Sequence, residues 1–201
     1  MRSVIWFSDV RGFTSLSSLV EPHVVIELIN SVFEFTHFAI REHGGEILKF
    51  MGDGILAVFT EPDRPRRRES TMDWARKEKE GIIKEGSQTF GESSGICEGV
   101  RRAAVQFQQK LQEWSAERIK NGDPGAEVGI GLHYGDCSYG NVGAPARLDF
   151  TVIGPSVNLA SRVGTLCSKL SASILASDAF VSRDTILLLM RGNGSRVANL
   201  L

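Results

Sequence analysis

Apolar residues along this chain alternate between stretches with strand-like and helix-like spacing. Ser3-Val4-Ile5-Trp6-Phe7-Ser8 is a short, nearly continuous apolar run and predicts a buried strand. A turn at Gly12 and a polar stretch lead to Glu21-Pro22, where proline suits a first helical turn. From Val25, the residues Ile29, Val32 and Phe33 recur at helical spacing until Gly44-Gly45 supplies a stop. Two short runs, Glu46 to Phe50 and Ile55 to Phe59, flank Met51-Gly52-Asp53-Gly54, a hairpin signal. Val100, Ala104, Phe107, Leu111 and Trp114 mark one face of a second helix, which ends near Asn121-Gly122-Asp123-Pro124-Gly125. Val128, Ile130 and Leu132 then alternate as a strand, and Tyr134-Gly135-Asp136 turns into another that runs towards Val142-Gly143. Phe150 to Ile153 forms one more strand, Gly154-Pro155 opens a helix carrying Asn158 and Arg162, and a last strand and helix fall between Ser171 and Asp184.

The order strand, helix, hairpin, helix, hairpin predicts an α+β fold, a ferredoxin-like sandwich whose central, largely antiparallel sheet has helices packed on one face. Between Glu61 and about Gly95 the chain becomes dense in charges of both signs, and this segment reads as a flexible or loosely helical insertion. Its triplet Arg66-Arg67-Arg68 reads as solvated surface. Residues 1–184 are therefore expected to form one domain interrupted at about 61–95, with 185–201 an atypical or truncated end.

Composition agrees with one domain: 201 residues, 42% of them hydrophobic, suffice for a full core. A net charge of −1 provides no basic field for nucleic acid. Cys97, Cys137 and Cys167 are odd in number and lack C-x-x-C spacing, so a reducing, cytoplasmic setting is expected. No apolar run approaches the roughly 20 residues of a membrane span, so no membrane contact is expected within this chain. The abrupt start in a strand suggests a domain of a longer protein, with room for an anchor or sensor outside this chain; if the full-length protein is anchored, the chain is expected at the cytoplasmic face of a membrane. His23, His37, His43 and His133 show no metal-ligand spacing.

The candidate chemistry lies in Asp9, Asp53, Asn158 and Arg162. Asp9 ends a buried strand, where an unpaired charge is costly, and Asp53 occupies a hairpin turn able to lie beside it. Two carboxylates there suit one or two Mg²⁺ ions whose shells are completed by nucleotide phosphates. Asp53 taken alone reads equally well as a turn former. Gly12, followed by Phe13 and Thr14, puts backbone N–H groups where phosphates can be cradled. Asn158 and Arg162, four apart, share a helix face and can converge on one anion, although an isolated pair of this kind is more often a solvated polar stripe.

Three stretches in order carry a specific resemblance: Phe7-Ser8-Asp9-Val10-Arg11-Gly12-Phe13-Thr14, Gly44-Gly45-Glu46-Ile47-Leu48-Lys49-Phe50-Met51-Gly52-Asp53-Gly54, and Phe150-Thr151-Val152-Ile153-Gly154-Pro155-Ser156-Val157-Asn158-Leu159-Ala160-Ser161-Arg162. From residue 3 to about 182, insertion apart, the chain resembles the class III adenylate/guanylate cyclase catalytic domain. The resemblance implies the class III nucleotidyl cyclase fold, a head-to-tail dimer (a homodimer, with a heterodimer as the alternative) and active sites at its interface. It implies that Asp9, Asp53 and the Val10 carbonyl hold two Mg²⁺ or Mn²⁺ ions per site. Lys49 and Thr151 match the purine-reading positions in their adenylate-type form, where guanylate cyclases tend to carry glutamate and cysteine, so ATP is the implied substrate. Asn158 would orient the ribose and Arg162 would stabilise the transition state at the α-phosphate, both from the subunit opposite the aspartates. The products would be 3′,5′-cyclic AMP and pyrophosphate.

Two departures accompany the resemblance. Leu187-Leu188-Leu189-Met190-Arg191-Gly192-Asn193-Gly194 does not match the family's closing strands, which carry a phosphate-binding basic residue, and Asp136 stands where some relatives have an arginine. A guanylate cyclase and a non-catalytic nucleotide-binding or dimerisation module are the rival readings.

Overall fold

The computed structural model describes residues 1–61, 94–144, 147–190 and 197–199, so Arg66-Arg67-Arg68 and nearly all of the charged insertion lie outside the described residues. Strand β1 (Arg2–Val10) is the centre of the fold. It pairs antiparallel with β3 (Gly54–Thr60) on one side and with β4 (Val128–Asp136) on the other. The sheet is extended by β2 (Glu46–Met51) beyond β3 and by β7 (Ile174–Ser177) and β8 (Val197–Asn199) beyond β4, giving the order β2-β3-β1-β4-β7-β8. The β4–β7 pair is parallel and the others are antiparallel. Strand β8 adds a closing strand that residues 185–201 did not announce.

Period-two alternation along β1 sorts its side chains into two cores. Val4, Trp6 and Val10 face α2 (Pro22–Glu42) and α3 (Ser94–Lys120). There the Trp6 ring lies 6.4 Å from Phe59 and 6.3 Å from Phe107. Cys97, Val100, Ala104, Phe107 and Leu111 recur three and four apart along α3, the spacing that turns one helical stripe to the sheet. Helix α2 is long and apolar enough to cross a membrane by length and composition alone, yet Leu28, Val32, Thr36, Ala39 and Ile40 are buried in this core. Asp184, fully buried, pairs with Arg101 of α3 at 2.8 Å and accepts the N–H groups of Ile186 and Leu187, which fastens the C-terminal segment to that helix.

Helices cover both faces of the sheet, which corrects the single covered face expected from the order of elements. On the second face, Ile5, Leu56 and Val58 meet Ala160 of α4 (Pro155–Lys169). What seats α4 so closely is a row of small residues on β4. A Cβ on Gly131 would stand 2.6 Å from the Cα of Gly164 and 2.7 Å from the carbonyl oxygen of Ala160, and one on Gly129 would stand 2.7 Å from the Cys167 Cβ. Gly135 meets Ser156 in the same way, and His133, between Gly131 and Gly135, is buried with its Nδ1 2.7 Å from the Ser177 hydroxyl. Strands β5 (Ser138–Ala144) and β6 (Arg147–Ile153) form a separate antiparallel hairpin that folds back over β2. The Tyr139 hydroxyl donates to Glu46 at 2.9 Å, and Val152 is buried in the second core.

Gly131→Ala should therefore cost at least about 2 kcal/mol, because the new methyl collides with helix backbone that cannot swing aside. Gly99→Ala, where a Cβ meets nothing within 4 Å in a helix, should instead add roughly 0.5–1 kcal/mol. Urea unfolding of the two variants beside the parent checks both signs.

Candidate active site

The end of β1 and the β2–β3 turn bring two carboxylates together. Asp9 lies opposite Gly54 in the strand register, and Asp53 immediately precedes that glycine in the two-residue loop joining the strands. Gly52 supports the turn with φ +66°, a left-handed conformation that favours glycine. A side chain at Gly54 would stand 2.9 Å from the Ser8 carbonyl oxygen and 3.3 Å from an Asp9 carboxylate oxygen, so the glycine leaves open the space against Asp9. Burial, followed by the charge of Asp53 and a hydrogen bond to it, pushes the Asp9 carboxyl up from 3.8 to about 6. A carboxylate whose ionisation is opposed by burial and by a second carboxylate suits a divalent cation, whose charge would offset the repulsion. Among the described residues no group of three or more His, Cys, Asp or Glu side chains is arranged to hold a metal. An oxygen pair that leaves most of the coordination shell to others fits Mg²⁺ or Mn²⁺ with phosphate ligands.

Gly12, with φ +64°, turns the chain from β1 into α1 (Phe13–Leu19). Phe13 packs at the border of the first core, and Thr14 is exposed, its carbonyl accepting the Ser17 and Ser18 hydroxyls at 3.0 and 2.9 Å. Val10, buried, makes the last pair of β1 with Val128.

Lys49 sits on β2 opposite Leu56, just past a register shift between Ile47 and Lys49 that keeps both Leu48 and Lys49 on the α4 side of the sheet. Its ammonium donates to Asp149 of β6 at 2.6 Å. Thr151 lies two residues beyond Asp149, on the same side of β6, and is 7% exposed. The pattern of the sequence missed Asp149. Its place two residues before Thr151 was the available signal, since alternate residues of a strand share a face.

Helix α4 turns Ala160, Val163, Gly164 and Cys167 inward, which leaves Asn158 and Arg162 exposed one turn apart. The structure thus gathers Asp9 with Asp53, joins Lys49 to the strand of Thr151, and places Asn158 beside Arg162. No hydrogen bond or ion pair among the described residues links the aspartates to the α4 pair. Exposed apolar side chains, Phe50, Met51, Leu148, Phe150, Ile153 and Leu159, lie on the elements that carry these residues.

Comparison with known proteins adds the following. A sequence profile for the adenylate and guanylate cyclase catalytic domain matches residues 2–190. An adenylate cyclase of Anabaena cylindrica is 32% identical over 184 residues, 90% of this chain and 30% of that protein. Adenylate cyclase 1 of Rhizobium meliloti is 25% identical over 88% of this chain and 22% of its own length. This chain therefore spans less than a third of the curated relatives just named. Among solved structures, the adenylyl cyclase CyaB from P. aeruginosa superposes with a TM-score of 0.69 at 25% identity, covering 90% of this chain and 79% of that one. The guanylyl cyclase Cya2 gives 0.67 at 26% identity, covering 91% and 78%. The architecture is that of a class III nucleotidyl cyclase domain. By its sequence, the chain belongs to the adenylate and guanylate cyclase catalytic-domain family.

Because the folded state raises the Asp9 pKa, ionising Asp9 costs stability as pH rises from about 4 to about 6, and the full cost persists above that window. Asp53→Asn removes the charge-repulsion part of this cost but leaves the part due to burial. Because Asp9 is solvent-exposed and its repulsion by Asp53 is partly screened, in metal-free buffer at pH 7 the variant should melt higher than the parent by at most about 1–3 °C, and the difference should vanish below pH 4. Added Mn²⁺ should stabilise the parent more than the variant. Calorimetry across pH, with and without the ion, reads all three outcomes.

Proposed function

We propose that this chain is an adenylate cyclase catalytic domain, converting ATP to 3′,5′-cyclic AMP and pyrophosphate at sites shared between two copies. The observation carrying the proposal is the division of the candidate residues into a paired-carboxylate group, Asp9 and Asp53, and an outward Asn158/Arg162 group on α4. In the reaction the ribose 3′-oxygen attacks the α-phosphorus, loses its proton, and the bond from the α-phosphorus to the bridging oxygen of pyrophosphate breaks. No covalent intermediate on the protein is required.

Asp9, Asp53 and the Val10 carbonyl would hold two divalent cations. Bound there, such ions supply charge neutralisation along the triphosphate and acidify the 3′-hydroxyl. The turn from Gly12 to Thr14 would lie against the phosphates. On α4 of the second copy, the Asn158 amide would orient the ribose, and the Arg162 guanidinium would donate to the phosphorus oxygens as charge builds. The exposed apolar side chains of β2, the β5–β6 hairpin and α4 support self-association through the same surface.

Lys49 and Thr151 support ATP over GTP. An ammonium donates to the adenine ring nitrogen N1, which guanine replaces with an N–H donor, and a hydroxyl can accept from the 6-amino group, which guanine replaces with a carbonyl. Asp149 would keep Lys49 extended across β6 until the base arrives.

Incubating the purified chain with ATP or GTP and Mn²⁺, then resolving the products, tests the substrate. Cyclic AMP as the main product is expected, while cyclic GMP as the main product would transfer the assignment to guanylate cyclase, and no product from either would favour the binding-module reading. Lys49→Glu combined with Thr151→Cys should shift the ATP-to-GTP ratio of kcat/KM towards GTP by about 1–3 kcal/mol per mismatched contact. An unchanged ratio would remove both residues from the base pocket.

A further inference from the structure

Phe7, Asp9 and Arg11 leave the chain on one side, the side covered by α4. The Phe7 ring lies against that helix at Gly164, where an added Cβ would approach its Cδ1 to 2.9 Å. Two residues beyond Asp9, Arg11 reaches the last turn of the same helix, three residues past Gly164. Its Nη2 donates to the carbonyl oxygens of Cys167, at 3.3 Å, and Ala172, while Nη1 meets Glu127 at 3.4 Å. The Arg11 backbone N–H also donates to the Glu127 carbonyl at 2.8 Å, continuing the β1–β4 ladder one residue past its last pair. The Arg11 side chain is only 19% exposed, and its buried Nε has no hydrogen-bond partner among the described residues.

Such burial is costly, and a cation placed this way satisfies the Cys167 carbonyl in the last turn of α4, where the helix dipole favours positive charge, and the Ala172 carbonyl just beyond it. The turn that it serves has few other fastenings. Helix α1 buries none of its residues, and Gly12 enters it in a left-handed conformation with no side-chain cap. Asp9 is thus bracketed by two attachments, Phe7 to α4 at Gly164 and Arg11 to Cys167 in the last turn of α4 and to Ala172 in the loop that follows it.

We propose that Arg11 is a positioning residue for the metal-binding carboxylates, anchoring beside the C-terminal end of α4 the strand end on which Asp9 faces Gly54, and so keeping Asp9 in register with the β2–β3 turn that carries Asp53. The proposal rests on the reading of Asp9 and Asp53 as metal ligands. With its guanidinium engaged by Glu127, Cys167 and Ala172, Arg11 acts in this proposal through the backbone of residues 9 to 12 and not on the ion or nucleotide directly. The same helix carries Asn158 and Arg162, so the anchor also sets the metal half-site of one interface relative to the nucleotide half-site of the other.

The test is a Mn²⁺ titration of the nucleotide-free protein, followed by the loss of the free-ion EPR signal, for the parent, Arg11→Met and Arg11→Lys. Arg11→Met keeps the packing volume but removes the bonds to Cys167, Ala172 and Glu127, and should weaken Mn²⁺ binding about tenfold. Its nucleotide KM at saturating Mn²⁺ should stay close to the parental value. Arg11→Lys, which keeps a buried cation with fewer bonds, should weaken binding in the same direction by less, and it carries the test if the methionine variant does not fold. A variant with lowered thermal stability but parental Mn²⁺ affinity would make Arg11 a fold-stabilising residue only and would overturn the proposal. Failure of the parent itself to bind Mn²⁺ would instead overturn the metal assignment, so the two failures are distinguishable.

Discussion

The contact on which this structure depends is backbone against backbone, where α4 crosses β4 at Gly131 and Gly164. Helices ordinarily stand off a sheet by the depth of interleaved side chains. Here Gly131 brings the β4 main chain against that of Gly164 and Ala160, while Gly129 and Gly135 leave room for the Cys167 and Ser156 side chains, so the helix axis has little freedom to shift or roll. That fixed roll decides which residues are outward. Asn158 and Arg162 are exposed because Ala160, Val163, Gly164 and Cys167 are committed to the sheet.

The same seating organises the rest of the site face. Phe7 of β1 and Arg11, one residue past its end, contact α4, and Asp9 lies between them. The β5–β6 hairpin runs directly into α4 through Gly154 and reaches β2 through the Tyr139–Glu46 hydrogen bond and the Lys49–Asp149 ion pair. The ion pair is partly exposed and contributes little to stability on its own. Its consequence is geometric, because it orders a long, flexible ammonium beside the strand of Thr151. The proximity of Asp9 and Asp53 works against folding without metal, and on the proposed function this is stability given up for a place to put cations.

Much of this was legible in the chain. The alternation in β1 and β4 and the three-four spacing in α3 report buried faces, and the Asp-Gly turn between two apolar runs places Asp53 beside Asp9. What escaped is what periodicity does not encode. Glycines in β4 read as weak strand or turn positions, and only the packed structure reveals them as a seat for a helix, so the second covered face was missed. Asp149 finds Lys49 across a hundred residues of sequence, a pairing set by the fold-back of a hairpin. Asp184 looks like a loop residue until Arg101 and the N–H groups of Ile186 and Leu187 converge on it. Strand β8 is too short to have a pattern of its own.

The central claim is that one copy holds two incomplete half-sites that only a second copy completes. The most direct measurement mixes two inactive chains, one with Asp9→Ala and Asp53→Ala and the other with Arg162→Ala, and assays cyclic-nucleotide formation after subunit exchange. In a mixed dimer one interface joins intact aspartates to an intact Arg162, and the other collects every defect. With free exchange half the dimers are mixed and each has one good site of two, so recovery of about a quarter of parental activity is predicted by the two-fold symmetry. No recovery, with exchange confirmed independently by a tag pull-down, would contradict the shared-site account.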